Sequence, residues 1–178
     1  AMSLTDLFRW QILVGYGFNE HAISLLQDAP LTIKDLSHTL NGGGLTYPDH
    51  IELNGIQHEA ALHEFCHWAW EREMRLLTSS PDTEMINSYL TDYRILAMDT
   101  SYPVAAAYAN TQLYGDGRDF PGVLALNDFD HAFTSLASWH MGKYKSGSRK
   151  LPYYISFWFD RFFTGHVELT PYYEEQPR

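Results

Sequence analysis

The sequence predicts an α+β fold that is mainly helical and carries one short sheet. Two observations support this prediction. Segments that begin with helix-capping residues and end at Gly or Pro cover most of the chain. One further segment, Leu45–Asn54, alternates at its end in the way of a strand. The 178 residues fit a core of ordinary size, so we expect a single domain over residues 1–178.

Three helices are predicted before residue 45. Each begins at a side chain that can cap a helix N-terminus, and glycines end the first and the third. The predicted helices are Leu4–Val14, a segment from Asn19 to Leu26, and a segment that opens at Thr32 and Asp35 and stops at the glycines 42–44.

The next segment is predicted to be an exposed strand. Leu45–Asn54 carries Pro48, which lacks the N–H that an interior strand needs, so an edge position is expected. The string His166–Thr170 resembles His50–Asn54, and we predict that these two short strands pair.

Helices are again predicted over most of the remaining chain. The longest is Ile56–Leu77, because this run contains no Gly or Pro. Ser80 as a cap with Pro81 at the first helical position marks the start of the next helix, which ends near Met98. The others are Pro103–Leu113, Asp128–Met141 and the aromatic segment Pro152–Phe163, whose rings we interpret as packing.

The charge balance argues against several classes of partner. Twelve Lys and Arg face 22 Asp and Glu, which gives a net charge of −10. This balance repels phosphate backbones and anionic lipid surfaces, so we expect neither nucleic acid nor a membrane as partner. A single cysteine, Cys66, and the lack of a signal-like or membrane-spanning apolar run favour a cytoplasmic location.

The most informative segment is Ala61–Trp68, which contains the pattern His-Glu-x-x-His on a predicted helix. Four residues are about one helical turn, so His63 and His67 lie on one face and can bind a single zinc ion. Glu64, between them, can take a proton from a zinc-activated water and pass it to a leaving group.

Chance remains an alternative explanation, because a helical His pair can also be ordinary polar surface. The flanking residues argue against it. Leu62, Phe65 and Trp68 are apolar, and two imidazoles and a carboxylate among them would be costly to bury without a partner. The context therefore favours a metal site.

This segment resembles the zincin metallopeptidases, in which an exposed edge strand leads into the helix that carries His-Glu-x-x-His. The resemblance extends from Leu45 to about Met98, and it implies that Asp49–Asn54 aligns a peptide substrate by strand addition. The metzincin subclass is excluded, because Trp70 and Glu73 occupy the positions of its Gly and third His.

Zinc needs a third protein ligand, which zincins of the gluzincin type take from the following helix. Two acids are candidates, Glu84 and Asp92. If the next helix runs antiparallel to the first, the rise per residue brings Asp92 level with His67, so Asp92 is favoured. The distance to Asp92 is similar to that in the zincin domain of plasmid antirestriction proteins, although those have Glu at this place.

The resemblance implies zinc-dependent hydrolysis of a peptide or protein substrate, with His63, His67 and Asp92 as zinc ligands and Glu64 as the catalytic residue. Two alternatives stay open: a catalytically silent binding module on the zincin scaffold, and a helical structural domain in which the motif is accidental. The candidates for stabilising the oxyanion are Tyr89, Tyr93, Tyr108, His131, His140 and His166.

Overall fold

The computed structural model describes residues 2–34, 43–77, 83–114, 126–142 and 149–165. Within them lie seven α-helices and three short strands, which confirms the predicted α+β, mainly helical class. The helices are α1 (Leu4–Gly15), α2 (Glu20–Leu26), α3 (His58–Leu77), α4 (Thr83–Leu96), α5 (Pro103–Tyr114), α6 (Leu126–Met141) and α7 (Tyr153–Phe159). The strands are β1 (Leu31–Ile33), β2 (Gly44–Thr46) and β3 (Ile51–Leu53).

The first two helices begin at the predicted caps. The hydroxyl oxygen of Ser3 accepts a hydrogen bond from the backbone N–H of Asp6 at 3.1 Å. The side-chain oxygen of Asn19 accepts one from the backbone N–H of Ala22 at 2.8 Å. Each bond satisfies an N–H group that the first helical turn leaves without a partner inside the helix.

The prediction of a third helix is wrong at its start. Leu31–Ile33 is strand β1, which pairs in parallel with β3, Leu31 opposite Ile51. Thr32 and Ile33 are β-branched, and the sheet pairing overrides the local capping signal of Thr32. The remainder of that prediction, residues 35–42, lies outside the described residues.

The predicted single strand Leu45–Asn54 is a pair of strands joined by a turn. β2 and β3 are antiparallel, with Thr46 opposite Ile51, and Pro48 lies in the turn, where its missing N–H breaks no ladder bond. The strand order is β1-β3-β2, so β3 is central and β2 is at the edge. The expectation of an exposed edge at Asp49–Asn54 is therefore wrong. The predicted partner, His166–Thr170, lies outside the described residues.

Helix α3 is the centre of the described structure. It runs for 20 residues, close to the predicted Ile56–Leu77, and packs against the sheet, α2 and α6. Its middle turns are buried at seven apolar positions: Ala61, Leu62, Phe65, Cys66, Trp68, Ala69 and Trp70. A helix buried on nearly all sides leaves only a narrow stripe for polar residues, and that stripe carries the site.

The later helices match the predicted segments, with ends shifted by a few residues. The predicted start of α4 at Ser80 and Pro81 falls in residues 78–82, outside the described part of the chain. In the described residues, α4 packs against α5 and α7, whereas α6 packs against α3. α7 continues into a π-helical turn, Asp160–Thr164, and its rings lie in the core, as predicted: Trp158, Phe159, Phe162 and Phe163 are buried.

Among the described helices, none combines the length and the apolar character needed to cross a lipid bilayer.

Candidate metal centre

The stripe of α3 that is not fully covered carries the predicted motif. In the buried middle of the helix, His63, His67 and Glu71 are partly exposed and follow one another at four-residue intervals. They line a cavity of about 680 Å³ together with residues of β2, α5 and α6. The remaining lining residues include Thr46, Glu64, Tyr108, Asp130, His131, Ser135, Ser138 and Trp139.

The two imidazoles of the motif converge. Their Nε2 atoms are 3.0 Å apart, and the rings meet edge to face with an interplanar angle of 82°. At this distance one Nε2–H of a neutral pair donates a hydrogen bond to the other Nε2. Two nitrogens bound to one tetrahedral zinc ion at about 2.05 Å lie about 3.3 Å apart. A shift of a few tenths of an ångström would therefore let both nitrogens bind one ion.

Helix α6 adds a third imidazole, that of His131. The ligand atoms of His63, His67 and His131 all lie within 4.8 Å of one another. The ring of His131 is 5.2 Å from that of His63 and 5.6 Å from that of His67, between centroids. Three histidines with a fourth position open are a ligand set found in catalytic zinc sites, so these residues fit the ion.

A carboxylate of α6 orients His67. Oδ2 of Asp130 lies 3.1 Å from Nδ1 of His67, so we assign the proton to Nδ1, which donates to Asp130. The hydroxyl oxygen of Thr134, one turn further along α6, lies 3.2 Å from each of the two ring nitrogens of His67. With Nδ1 occupied in this way, the lone pair of His67 is on Nε2, the nitrogen that faces His63. A carboxylate behind a histidine is the usual support of a metal ligand.

Asp92, the predicted third ligand, is not brought to this site. It lies on α4, is fully buried, and accepts a hydrogen bond on Oδ2 from Nε1 of Trp158 at 3.1 Å. It neither lines the cavity nor belongs to the histidine cluster. The prediction assumed that α4 packs back along α3, but in the described residues α6 takes that place. The side chain of the alternative, Glu84, lies outside the described residues.

Glu64 lies in the cavity wall beside the histidines, with 7% of its surface exposed. Burial raises the pKa of its carboxyl, while the charge of His67 and a hydrogen bond from Thr46 act in the opposite direction. A carboxyl whose pKa is raised toward neutrality can both accept and return a proton. This is the protonation behaviour that a general base and acid requires.

The pKa values of the two motif histidines move in opposite directions. Burial, with the charges of His67 and His131, lowers the pKa of His63 to about 3. Burial also acts to lower the pKa of His67, but the hydrogen bond and charge of Asp130 raise it above its ordinary value. The neutral imidazole is the form that binds a metal. His63 is therefore in the binding form at pH 7, whereas His67 is the one that must release a proton in mildly acidic solution.

Two of the oxyanion candidates line the cavity, Tyr108 and His131. The others are in the core (Tyr89, Tyr93), hydrogen-bonded to Asp160 (His140) or outside the described residues (His166). His131 belongs to the imidazole cluster, which leaves Tyr108. Burial raises the pKa of its hydroxyl, and the nearby Ser135 side chain lowers it in part. Since the net shift is upward, Tyr108 remains a neutral O–H donor near pH 7.

The contribution of α6 was missed because its signal is spread over the helix. Asp130, Thr134 and Ser138 follow at four-residue intervals, and His131 lies beside the first of them. In the part of α6 whose side chains are described, the apolar residues Ala132, Phe133, Leu136, Ala137 and Met141 are buried. A polar stripe with a histidine on an otherwise buried helix is a recognisable sequence signal for a site wall.

Comparison of the chain with protein-family models, with curated proteins and with solved structures found no match.

Proposed function

We propose that this protein is a zinc-dependent metallopeptidase, with His63, His67 and His131 as zinc ligands and Glu64 as the general base. One observation carries the proposal. Three imidazoles from α3 and α6 place their ligand atoms within 4.8 Å of one another, and Glu64, from the same turn of α3, lines the same cavity. Three protein ligands with an open position are typical of catalytic zinc.

The lowered pKa of His63 argues against an accidental motif. The pKa of His63 is held low by burial and by the nearness of two further imidazoles, so the protein stabilises the neutral ring at the expense of its protonated form. The neutral imidazole is the form that binds a metal, and here three such rings bring their ligand atoms within 4.8 Å of one another. A cation that accepts imidazole lone pairs accounts for this arrangement.

The chemistry follows from the side chains around the cavity. Zinc bound there would act as a Lewis acid and lower the pKa of a water molecule. Glu64 accepts the proton of the attacking water and returns it to the leaving amine. Asp130 keeps His67 in the tautomer whose Nε2 is free to bind. Tyr108 donates its O–H to the oxygen on which negative charge develops.

The edge of the sheet favours an extended peptide as substrate. Gly43 and Tyr47, which flank β2, form their backbone hydrogen bonds on the β3 side, at 2.8 Å each. Because alternate residues of a strand direct their backbone groups to opposite sides, Gly44 and Thr46 direct theirs away from β3. β2 also lines the cavity, so a peptide added as a further strand would lie beside the histidines.

Metal analysis combined with one matched pair of variants tests the proposal. Wild-type protein purified without added metal is expected to contain close to one zinc per chain and to cleave members of a quenched-fluorescent peptide library. Glu64→Gln keeps the shape of the side chain but cannot take a proton, so it should retain zinc and lose about 10²- to 10⁴-fold in kcat. Glu20→Gln, at an exposed position of α2, is the matched control and should keep full activity.

Each contrary result has a distinct meaning. Protein that takes up no zinc even after zinc addition would leave the motif accidental and overturn the proposal. Zinc without any hydrolysis would indicate a silent binding module. A fully active Glu64→Gln variant would contradict the assigned mechanism.

A further inference from the structure

Strand β2 approaches α3 unusually closely at Glu64. A Cβ built on Gly44 would lie 2.9 Å from Cγ of Glu64 and 2.8 Å from the backbone oxygen of Glu52, closer than real Cβ contacts. The φ of Gly44 is outside the left-handed region, so its backbone conformation does not require glycine. The missing side chain therefore makes room for the stem of Glu64, and also for the side chain of Leu53 and the backbone of Glu52 on β3.

The next inward-facing residue of the strand contacts the other end of the same side chain. The hydroxyl of Thr46 lies 3.1 Å from Oε1 of Glu64 and 3.1 Å from its backbone oxygen, and donates to one of them at a time. Gly44 and Thr46 are two residues apart and share the face of β2 toward α3. Leu45, between them, is 58% exposed on the opposite face.

We propose that strand β2 is the positioning element for the catalytic carboxylate, with Gly44 confining the stem of Glu64 and Thr46 holding its Oε1. This inference rests on the proposed function, in which Glu64 is the base. A glutamate has three side-chain torsions, and restricting them in advance keeps the base in its reactive geometry. The same strand would then bind the peptide through its backbone and position the carboxylate of Glu64, so substrate and base are both placed relative to β2.

The role of Thr46 predicts a separation of kcat from KM. Thr46→Val keeps the β-branched shape but removes the hydroxyl. A bound peptide would use the backbone of β2, not the Thr46 side chain, so KM should stay unchanged. Because the carboxylate of Glu64 is then no longer held by this hydrogen bond, kcat should fall by about ten- to hundredfold. Thr46→Ser, which restores a hydroxyl, should recover most of the wild-type kcat.

A matched control is available on the other edge of the sheet. Thr32 is the exposed middle residue of β1, and Thr32→Val makes the same chemical change away from Glu64. It should leave kcat and KM at the wild-type values, and zinc content should be equal in all these variants. A Thr46→Val variant with wild-type kcat, or one whose loss appears only in KM, would overturn the inference while leaving the proposed function standing.

A second readout does not depend on activity. In protein with ¹³C-labelled glutamate carboxyl groups, the Glu64 signal is identified by its loss in Glu64→Gln. Thr46→Val should shift this signal, and Thr32→Val should not. An unchanged signal in Thr46→Val would contradict the inference even if the protein proved to have no peptidase activity.

Discussion

Two aspartates on neighbouring parts of the fold have very different surroundings. Asp130, on α6, lines the cavity and accepts from a histidine of the motif. Asp92, on α4, is enclosed in the core, where the indole of Trp158 donates to it. Burial raises the pKa of the neighbouring Tyr89, and Asp92 adds to this shift as a smaller cause. Asp92 takes part in a hydrogen bond inside the core, whereas a carboxylate behind an imidazole is the usual support of a metal ligand. Their surroundings differ because, in the described residues, α6 packs against α3, whereas α4 packs against α5 and α7.

The largest expected effect concerns two tyrosines, one in the cavity wall and one in the core. Tyr108 lines the cavity, whereas Tyr93 is fully buried in the core. Removing an oxyanion donor typically costs about 10²- to 10³-fold in kcat, so Tyr108→Phe should lose activity on this scale while zinc content stays unchanged. Tyr93→Phe, the matched control, should keep the wild-type kcat. Equal kcat in the two variants, measured on one peptide, would remove Tyr108 from the mechanism.

The aspartates themselves should differ in their effect on zinc. Asp130→Asn weakens the support of His67, and loss of such a partner typically lowers metal affinity by about 10- to 100-fold. Asp92→Asn should leave the affinity at the wild-type value. Competition with a chromophoric chelator measures both. The comparison fails if the Asp92 variant loses affinity and the Asp130 variant does not.

The smallest expected effect concerns stability alone. Trp158→Phe removes the indole N–H that donates to Asp92, so a buried carboxylate oxygen loses this hydrogen bond. The loss should lower the free energy of unfolding by about 1–3 kcal/mol. Denaturant unfolding of the metal-free protein should show this loss, with no change in zinc affinity once the variant is folded. Reduced zinc affinity in the folded variant would link the Asp92 region to the metal site.

The same contrast explains how much the sequence alone could predict. The helix that carries the motif, the pairing of His63 with His67 and the position of Glu64 between them follow from local spacing, and local spacing was sufficient for them. The third ligand depends on tertiary packing. Counting residues along α4 brings Asp92 level with His67 only if α4 packs antiparallel against α3.

The sheet was predicted less well for a related reason. β1 is only three residues long, and its middle residue, Thr32, is of a type that also caps helices, so the local signal was ambiguous. The division of Leu45–Asn54 into β2 and β3 depends on a turn that the alternation pattern does not reveal. That division decides which strand lies at the edge, and with it the contact between β2 and Glu64.

A crystal structure of the zinc-loaded protein, with anomalous data at the zinc edge, tests the central claim most directly. The account predicts one strong peak between α3 and α6, about 2.0–2.1 Å from a ring nitrogen of each of His63, His67 and His131, with Glu64 beside the open position. A peak bound by the carboxylate of Asp92 or Glu84 with His131 turned away, or no peak at the motif, would contradict it.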